Sequence, residues 1–188
     1  MLPDDTEHIV EENLIHDINQ QFPPEKDIEI EVEGMKEVIH GKLAVNATGE
    51  YVYYYDKDRY VQSSHSGIDR IVPIEQPALN VPEVSMEISY TELTEADVIK
   101  RIKMDLEIDN FHLFEEQTIE EPMHGRVLTA LAEKDYKWDT AVHRFYIYPI
   151  QNGNTIIFQQ KFFTEAFEGH GARFDEIIKT FLPIHESF

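Results

Sequence analysis

Val142-His143-Arg144-Phe145-Tyr146-Ile147-Tyr148-Pro149-Ile150, then Gln151-Asn152-Gly153-Asn154, then Thr155-Ile156-Ile157-Phe158-Gln159-Gln160-Lys161-Phe162-Phe163 is the stretch on which the fold turns. Two aromatic and β-branched runs flank Asn152-Gly153, the dipeptide that most readily supplies the positive φ angles of a tight turn, so the spacing predicts a β-hairpin over 142–163. Immediately upstream, 111–119 and 126–133 read as strands. In the second, Val127, Thr129 and Leu131 share one side and Leu128, Ala130 and Ala132 the other. Downstream, after Glu168-Gly169-His170-Gly171, Phe174, Ile177, Ile178 and Phe181 recur at i, i+3, i+4 and i+7. That is a core-facing helix, which Pro183 stops.

The same reading extends to the other half of the chain. Residues 91–110 predict a helix: Thr94 and Asp97 form a capping pair, Val98, Ile99, Ile102 and Leu106 make one face, and Lys100, Arg101 and Lys103 lie on the other. Ile28, Ile30 and Val32 alternate with Glu29, Glu31 and Glu33, the pattern of a strand with one wet face, closed by Gly34. Strands are expected at 38–45 and 51–55 around the turn-rich Asn46-Ala47-Thr48-Gly49, at 59–62 and 68–74, and again through Val84, Met86, Ile88 and Tyr90. Ahead of them, Val10, Leu14 and Ile18 repeat every four residues after Thr6, predicting a helix over 7–21 that ends at Pro23-Pro24. The expected organisation is an acidic helical segment over 1–27 and one α+β domain over 28–188, an antiparallel sheet meander covered by helices in an α/β/α sandwich.

Charge narrows the partners. Among 188 residues, 37 Asp and Glu face 16 Lys and Arg, a formal net charge of −21, which repels nucleic acids and anionic lipid surfaces. Eleven of the acidic residues fall in the first 33 positions, against Lys26 alone. No run approaches the ~20 apolar residues of a membrane-spanning helix. With no cysteine, disulfides, thiolate metal sites and a cysteine nucleophile are all excluded.

Four features, taken in order, resemble the PsbP/Mog1-like fold family: Gly49-Glu50-Tyr51-Val52-Tyr53-Tyr54-Tyr55-Asp56, the capped middle helix, the strand opened by Gly125, and the closing helix that ends in Thr180-Phe181. The likeness covers about residues 35–182 and departs from the family at Asp56, where proline is common. It implies an α/β/α sandwich whose members act by binding, to other proteins or as accessory factors of larger assemblies, with no shared catalytic apparatus. Small exported or lipid-anchored proteins of Gram-positive bacteria are similar. An extracytoplasmic accessory protein is the corresponding expectation, with a cytoplasmic one as its alternative.

Two sets of residues stand out chemically. Glu165, Glu168 and His170 have the donor types of a zinc or manganese site and lie beside two glycines; the same glycines also account for a chain turning into its last helix. Trp138, just before a strand, either closes the core's edge or lines a groove. Strand alternation buries Tyr53 and Tyr55 and turns Tyr54 outward, so Trp138 and Tyr54 are the candidate partner-binding residues. The nine histidines, His143 among them, form no His-x-His or His-Glu-x-x-His signature. No Walker or Gly-x-Gly-x-x-Gly loop is present, and Ser63-Ser64-His65-Ser66-Gly67 has no nucleophile elbow around it. The expected function is therefore a non-enzymatic binding or protein-interaction module with no organic cofactor. A divalent-metal protein or metal-dependent enzyme built on the Glu/His set is the alternative, and a cytosolic accessory protein that binds a basic partner is the third reading.

Overall fold

The computed structural model describes residues 21–47, 49–75, 80–133, 137–150 and 153–184. The helix expected over 7–21 lies outside them but for its last residue. Among the described residues, eleven strands and two α-helices follow from Glu25, and every strand pairing is antiparallel.

Strands β1 (Glu25–Val32) and β2 (Met35–Val45) form a hairpin through Glu33 and Gly34, both at positive φ. The alternation seen in the sequence is kept: Ile30 and Val32 are buried while Glu29 and Glu31 are exposed. β3 (Tyr51–Asp56) pairs with β2 on one side and with the two-residue β11 (Leu182–Pro183) on the other, completing a four-stranded sheet in the order β1-β2-β3-β11.

A seven-stranded sheet holds the remainder. It contains β4 (Tyr60–His65), β5 (Ile68–Pro73), β6 (Ser85–Thr91), β7 (His112–Ile119), β8 (Gly125–Leu131), β9 (Ala141–Pro149) and β10 (Thr155–Phe163). The β9–β10 hairpin runs in register from Ala141 opposite Phe163 to Pro149 opposite Thr155, with Gly153 at φ +80° in its turn. The order is β4-β5-β6-β10-β9-β8-β7, which departs from an unbroken meander because β10 sits between β6 and β9. Helix α1 (Glu95–Ile108) causes the departure: it carries the chain from β6 to β7 at the far edge, and the hairpin fills the space it leaves. Thr94 caps it, accepting the Asp97 amide at 3.3 Å and donating its hydroxyl to the Asp97 carboxylate at 2.7 Å.

Two clusters use opposite faces of the large sheet. The main core joins Tyr51, Tyr53 and Tyr55 of β3 to Met86, Ile88, Tyr148, Ile156, Phe158 and Phe162, and to Phe174, Ile177 and Ile178 of helix α2 (Ala172–Lys179). On the other face Val98, Ile102 and Leu106 of α1 pack on Leu128, Ala130, Phe145 and Ile147 of β8 and β9. Strand parity sorts these residues: in β9, Val142, Arg144, Tyr146 and Tyr148 point to the main core's side, and His143, Phe145 and Ile147 to the side of α1.

Candidate functional site

The predicted Glu/His set falls where β10 gives way to α2. Glu165 lies in a 3-10 turn (Thr164–Ala166), exposed, with its amide donating to the Trp138 carbonyl at 2.9 Å. Glu168 is exposed in the π-helical turn that follows (Phe167–Gly171). His170, in the same turn, faces inward: its Nδ1 is 3.0 Å from the Tyr60 hydroxyl, and its ring meets Tyr60 edge-on at 5.9 Å. Burial, then the Arg173 and Arg59 guanidiniums, hold its pKa below the ordinary value and keep it neutral. Among the described residues no three His, Asp or Glu side chains form a group that could hold a metal ion, so Glu165, Glu168 and His170 are not assembled as one. His170 is committed to Tyr60 while both glutamates face water.

The two predicted partner-binding residues divide. Trp138 is 57% exposed. Tyr54, expected to face outward, is buried. Its hydroxyl donates to the Pro23 carbonyl at 2.8 Å, the Lys26 ammonium sits 3.8 Å above its ring, and its amide donates to Thr180 Oγ1 at 2.8 Å. Pro23 ahead of β1 and Lys26 within it thus cover the face of β3 that alternation leaves to solvent.

Sequence reasoning passed over two surfaces. The first is the β7 edge. All of β7 but Ile119 is exposed, and Leu113 and Phe114, at a register irregularity, show 43% and 66% of their surface. Phe114 and Phe167 (39% exposed) flank a 140 Å³ pocket floored by Leu131 and Val142. Behind Phe167 stands Arg144, 9% exposed, its guanidinium 4.4 Å from the ring centre and donating to Asp175 at 3.0 Å. Asp175 also accepts from Tyr146 Oη and Gln160 Nε2, each at 2.8 Å, so one carboxylate ties the first turn of α2 to β9 and β10 and fixes the Phe167 turn against the sheet. Burial, then the Asp175 charge, push the Tyr146 phenol upward and keep it a donor.

The second surface is a 620 Å³ hollow between α1 and the strands beside it. Register lays out its floor: Ile157 between Ser89 and Ile147, Gln159 between Glu87 and Phe145, and Lys161 beside His143. His143 stacks on Phe111, ring centres 4.1 Å apart and 18° from parallel. Burial, then the Lys161 charge, lower its pKa to about 4 against the opposing pull of Asp109. A solitary histidine in a strand gives no sequence signal for such a place. The alternation Ile157, Gln159, Lys161 opposite a helix with Arg101 and Asp105 one turn apart is the trace it leaves.

No family model matches the chain, and no curated protein matches it. Among solved structures, it is similar to the solution structure of cyanobacterial PsbP (CyanoP) from Synechocystis sp. PCC 6803, at a TM-score of 0.51 and 11% identity, over 77% of this chain and 92% of that one. The fold is PsbP-like. The resemblance read from Gly49–Asp56, the middle helix, Gly125 and the closing helix therefore holds at the level of fold, and at 11% identity a PsbP-like fold carries no site residues with it.

Proposed function

We propose that this chain is a non-enzymatic protein-interaction module that takes an extended segment of a basic partner along β7. The observation that carries this is Phe114: a large aromatic residue, two-thirds exposed, on the terminal strand of a sheet and at the mouth of a pocket sized for one apolar side chain. Among the described residues β7 pairs only with β8, so its outer edge offers backbone donors and acceptors to an incoming strand, and the pocket adds side-chain selection. A second copy of the chain is a poor occupant, because self-pairing sets the exposed Glu115 against its equivalent under a charge of −21 on each side. A basic strand has the complementary charge. The PsbP-like fold, with the look-alikes noted from sequence, supports an accessory role outside the cytoplasm of a Gram-positive cell. Finding the chain in the cytosolic fraction alone refutes that placement without touching the interaction.

The test uses the heptapeptide acetyl-Lys-Val-Lys-Phe-Lys-Val-Lys-amide, followed by amide shifts of the full chain. Binding should map to residues 112–119, weaken with added salt, and fall about tenfold in Phe114→Asp. No binding, equal binding to that variant, or equal binding of the counterpart with Glu in place of Lys refutes the reading.

A further inference from the structure

The hollow beside α1 is a site of its own, on the flank of the helix away from the Lys103–Glu116 ion pair that joins α1 to β7. At 620 Å³ it falls within the roughly 300–1,000 Å³ of small-molecule sites. Its two ends differ. Where α1 begins, the lining is apolar, with Ile68, Leu93, Val98 and Ile157. From the middle of α1 onward ionic groups join the lining, Arg101 and Asp105 on the helix, Asp109 at its C-cap and Lys161 on the floor.

Among the described residues these ionic groups have no ion-pair partners, and for the arginine this sets it apart. Five of the six arginines, Arg59, Arg70, Arg126, Arg144 and Arg173, are ion-paired with a carboxylate; the sixth, Arg101, lines the hollow. Among the described residues neither Arg101 nor Lys161 has a carboxylate within 4.0 Å, and neither Asp105 nor Asp109 has a cation that close. Asp105 lies one helical turn beyond Arg101, a spacing at which opposite charges ordinarily pair, yet the two stay apart. Glu87, the third acidic group of the lining, is engaged by Arg70 at 3.8 Å. Among the described residues the hollow therefore offers two cations and two carboxylates without ion pairs next to an apolar bed, beside an imidazole that stays uncharged. A purely anionic ligand would meet Asp105 and Asp109, and a purely cationic one Arg101 and Lys161. A ligand with both charges and an apolar body satisfies all of them.

We infer that the hollow beside α1 binds a short apolar peptide with free ends, its carboxylate at Arg101 and Lys161, its ammonium at Asp105 and Asp109, and its side chains on Ile68, Leu93, Val98 and Ile157. This does not depend on the β7 reading, which concerns another edge of the sheet.

Trileucine is the probe, titrated into the full chain and followed by the amide shifts of Ser89, Gln159 and Lys161, with triglycine as the control that lacks an apolar body. Trileucine should bind with a dissociation constant below about 1 mM and triglycine should not. Acetyl-trileucine and trileucine amide should each bind about fivefold more weakly, the size expected of a partly exposed ion pair. The variants decide the assignment. Arg101→Gln with Lys161→Gln should abolish the preference for a free carboxylate and leave that for a free amine; Asp105→Asn with Asp109→Asn should do the reverse. Arg101, Asp105 and Asp109 are exposed, so these changes leave the core intact. Absence of shifts at millimolar trileucine, shifts located elsewhere, or end preferences that persist in the variants overturn the inference.

Discussion

Between about pH 7.5 and about pH 4.5, His143 alone should lower the stability of this protein by about 2.5 kcal/mol. The half-buried imidazole is neutral in the folded chain, with a pKa of about 4 against an ordinary 6.5. In the window between those values the unfolded chain binds the proton and the folded chain does not. Stability therefore falls as pH drops through the window and is unaffected above it. The full gap, at about 1.36 kcal/mol per pH unit, is worth roughly 3 kcal/mol, most of which is lost by about pH 4.5. His143→Phe retains an aromatic ring to stack on Phe111 and removes the titration. Urea unfolding of both proteins at the two pH values isolates the term, because the carboxylates and His170, whose pKa is lowered in the same direction, are common to both. The variant should lose about 2.5 kcal/mol less than the parent over this interval. Equal losses, within about 0.5 kcal/mol, would refute the claim that the fold holds His143 uncharged.

Three further outcomes follow from packing, each read by denaturant unfolding. Asp175→Ala strands the buried Arg144 guanidinium, together with the Tyr146 and Gln160 donors, and should cost about 3 kcal/mol, the low end for a broken buried pair because Asp175 itself is partly wet. Gly125→Ala drives a methyl group into the Ile147 carbonyl and to 2.7 Å from Tyr148 Cδ1, and should cost about 2 kcal/mol. Tyr54→Phe removes one buried hydrogen bond to the Pro23 carbonyl and should cost about 1 kcal/mol.

Local rules made the elements legible. The two-residue period of Ile28, Ile30 and Val32, the positive φ of Gly153 in the β9–β10 hairpin, the Thr94 cap and the i, i+3, i+4, i+7 face of Phe174 through Phe181 each depend on neighbours a few positions away, and the structure keeps them. What joins distant parts of the chain was not legible. Tyr54 is covered from Pro23, 31 residues earlier, and held through Thr180, 126 residues later. The alternation of β3 tells inside from outside only while one face stays open, and here both are closed. The Glu/His set is parted for a related reason: these residues are close in sequence, but Tyr60, 110 residues away, holds the His170 imidazole while Glu165 and Glu168 are exposed. The hollow and the β7 pocket arise where elements part company, and hydrophobic periodicity carries no record of that.

Strand β9 shows how much hangs on register. Its even-numbered side chains serve the main core, where Arg144 and Tyr146 hold Asp175 and support the Phe167 wall of the β7 pocket; its odd-numbered ones serve the α1 face, where His143 and Phe145 line the hollow. A slip of one residue would exchange the two sets, sending Arg144 into the hollow and stripping Asp175 of two of its three donors, Arg144 and Tyr146. Both proposed surfaces would be lost together. Two features oppose the slip. The β9–β10 hairpin is paired without a shift from Ala141 to Pro149, and Gly125 lets β8 approach so near Ile147 and Tyr148 that no side chain fits there. The clash expected of Gly125→Ala therefore falls on the strand that both surfaces share. If that variant folds with β8 displaced, peptide binding at β7 and at the hollow should weaken in the same protein, although Gly125 lines neither.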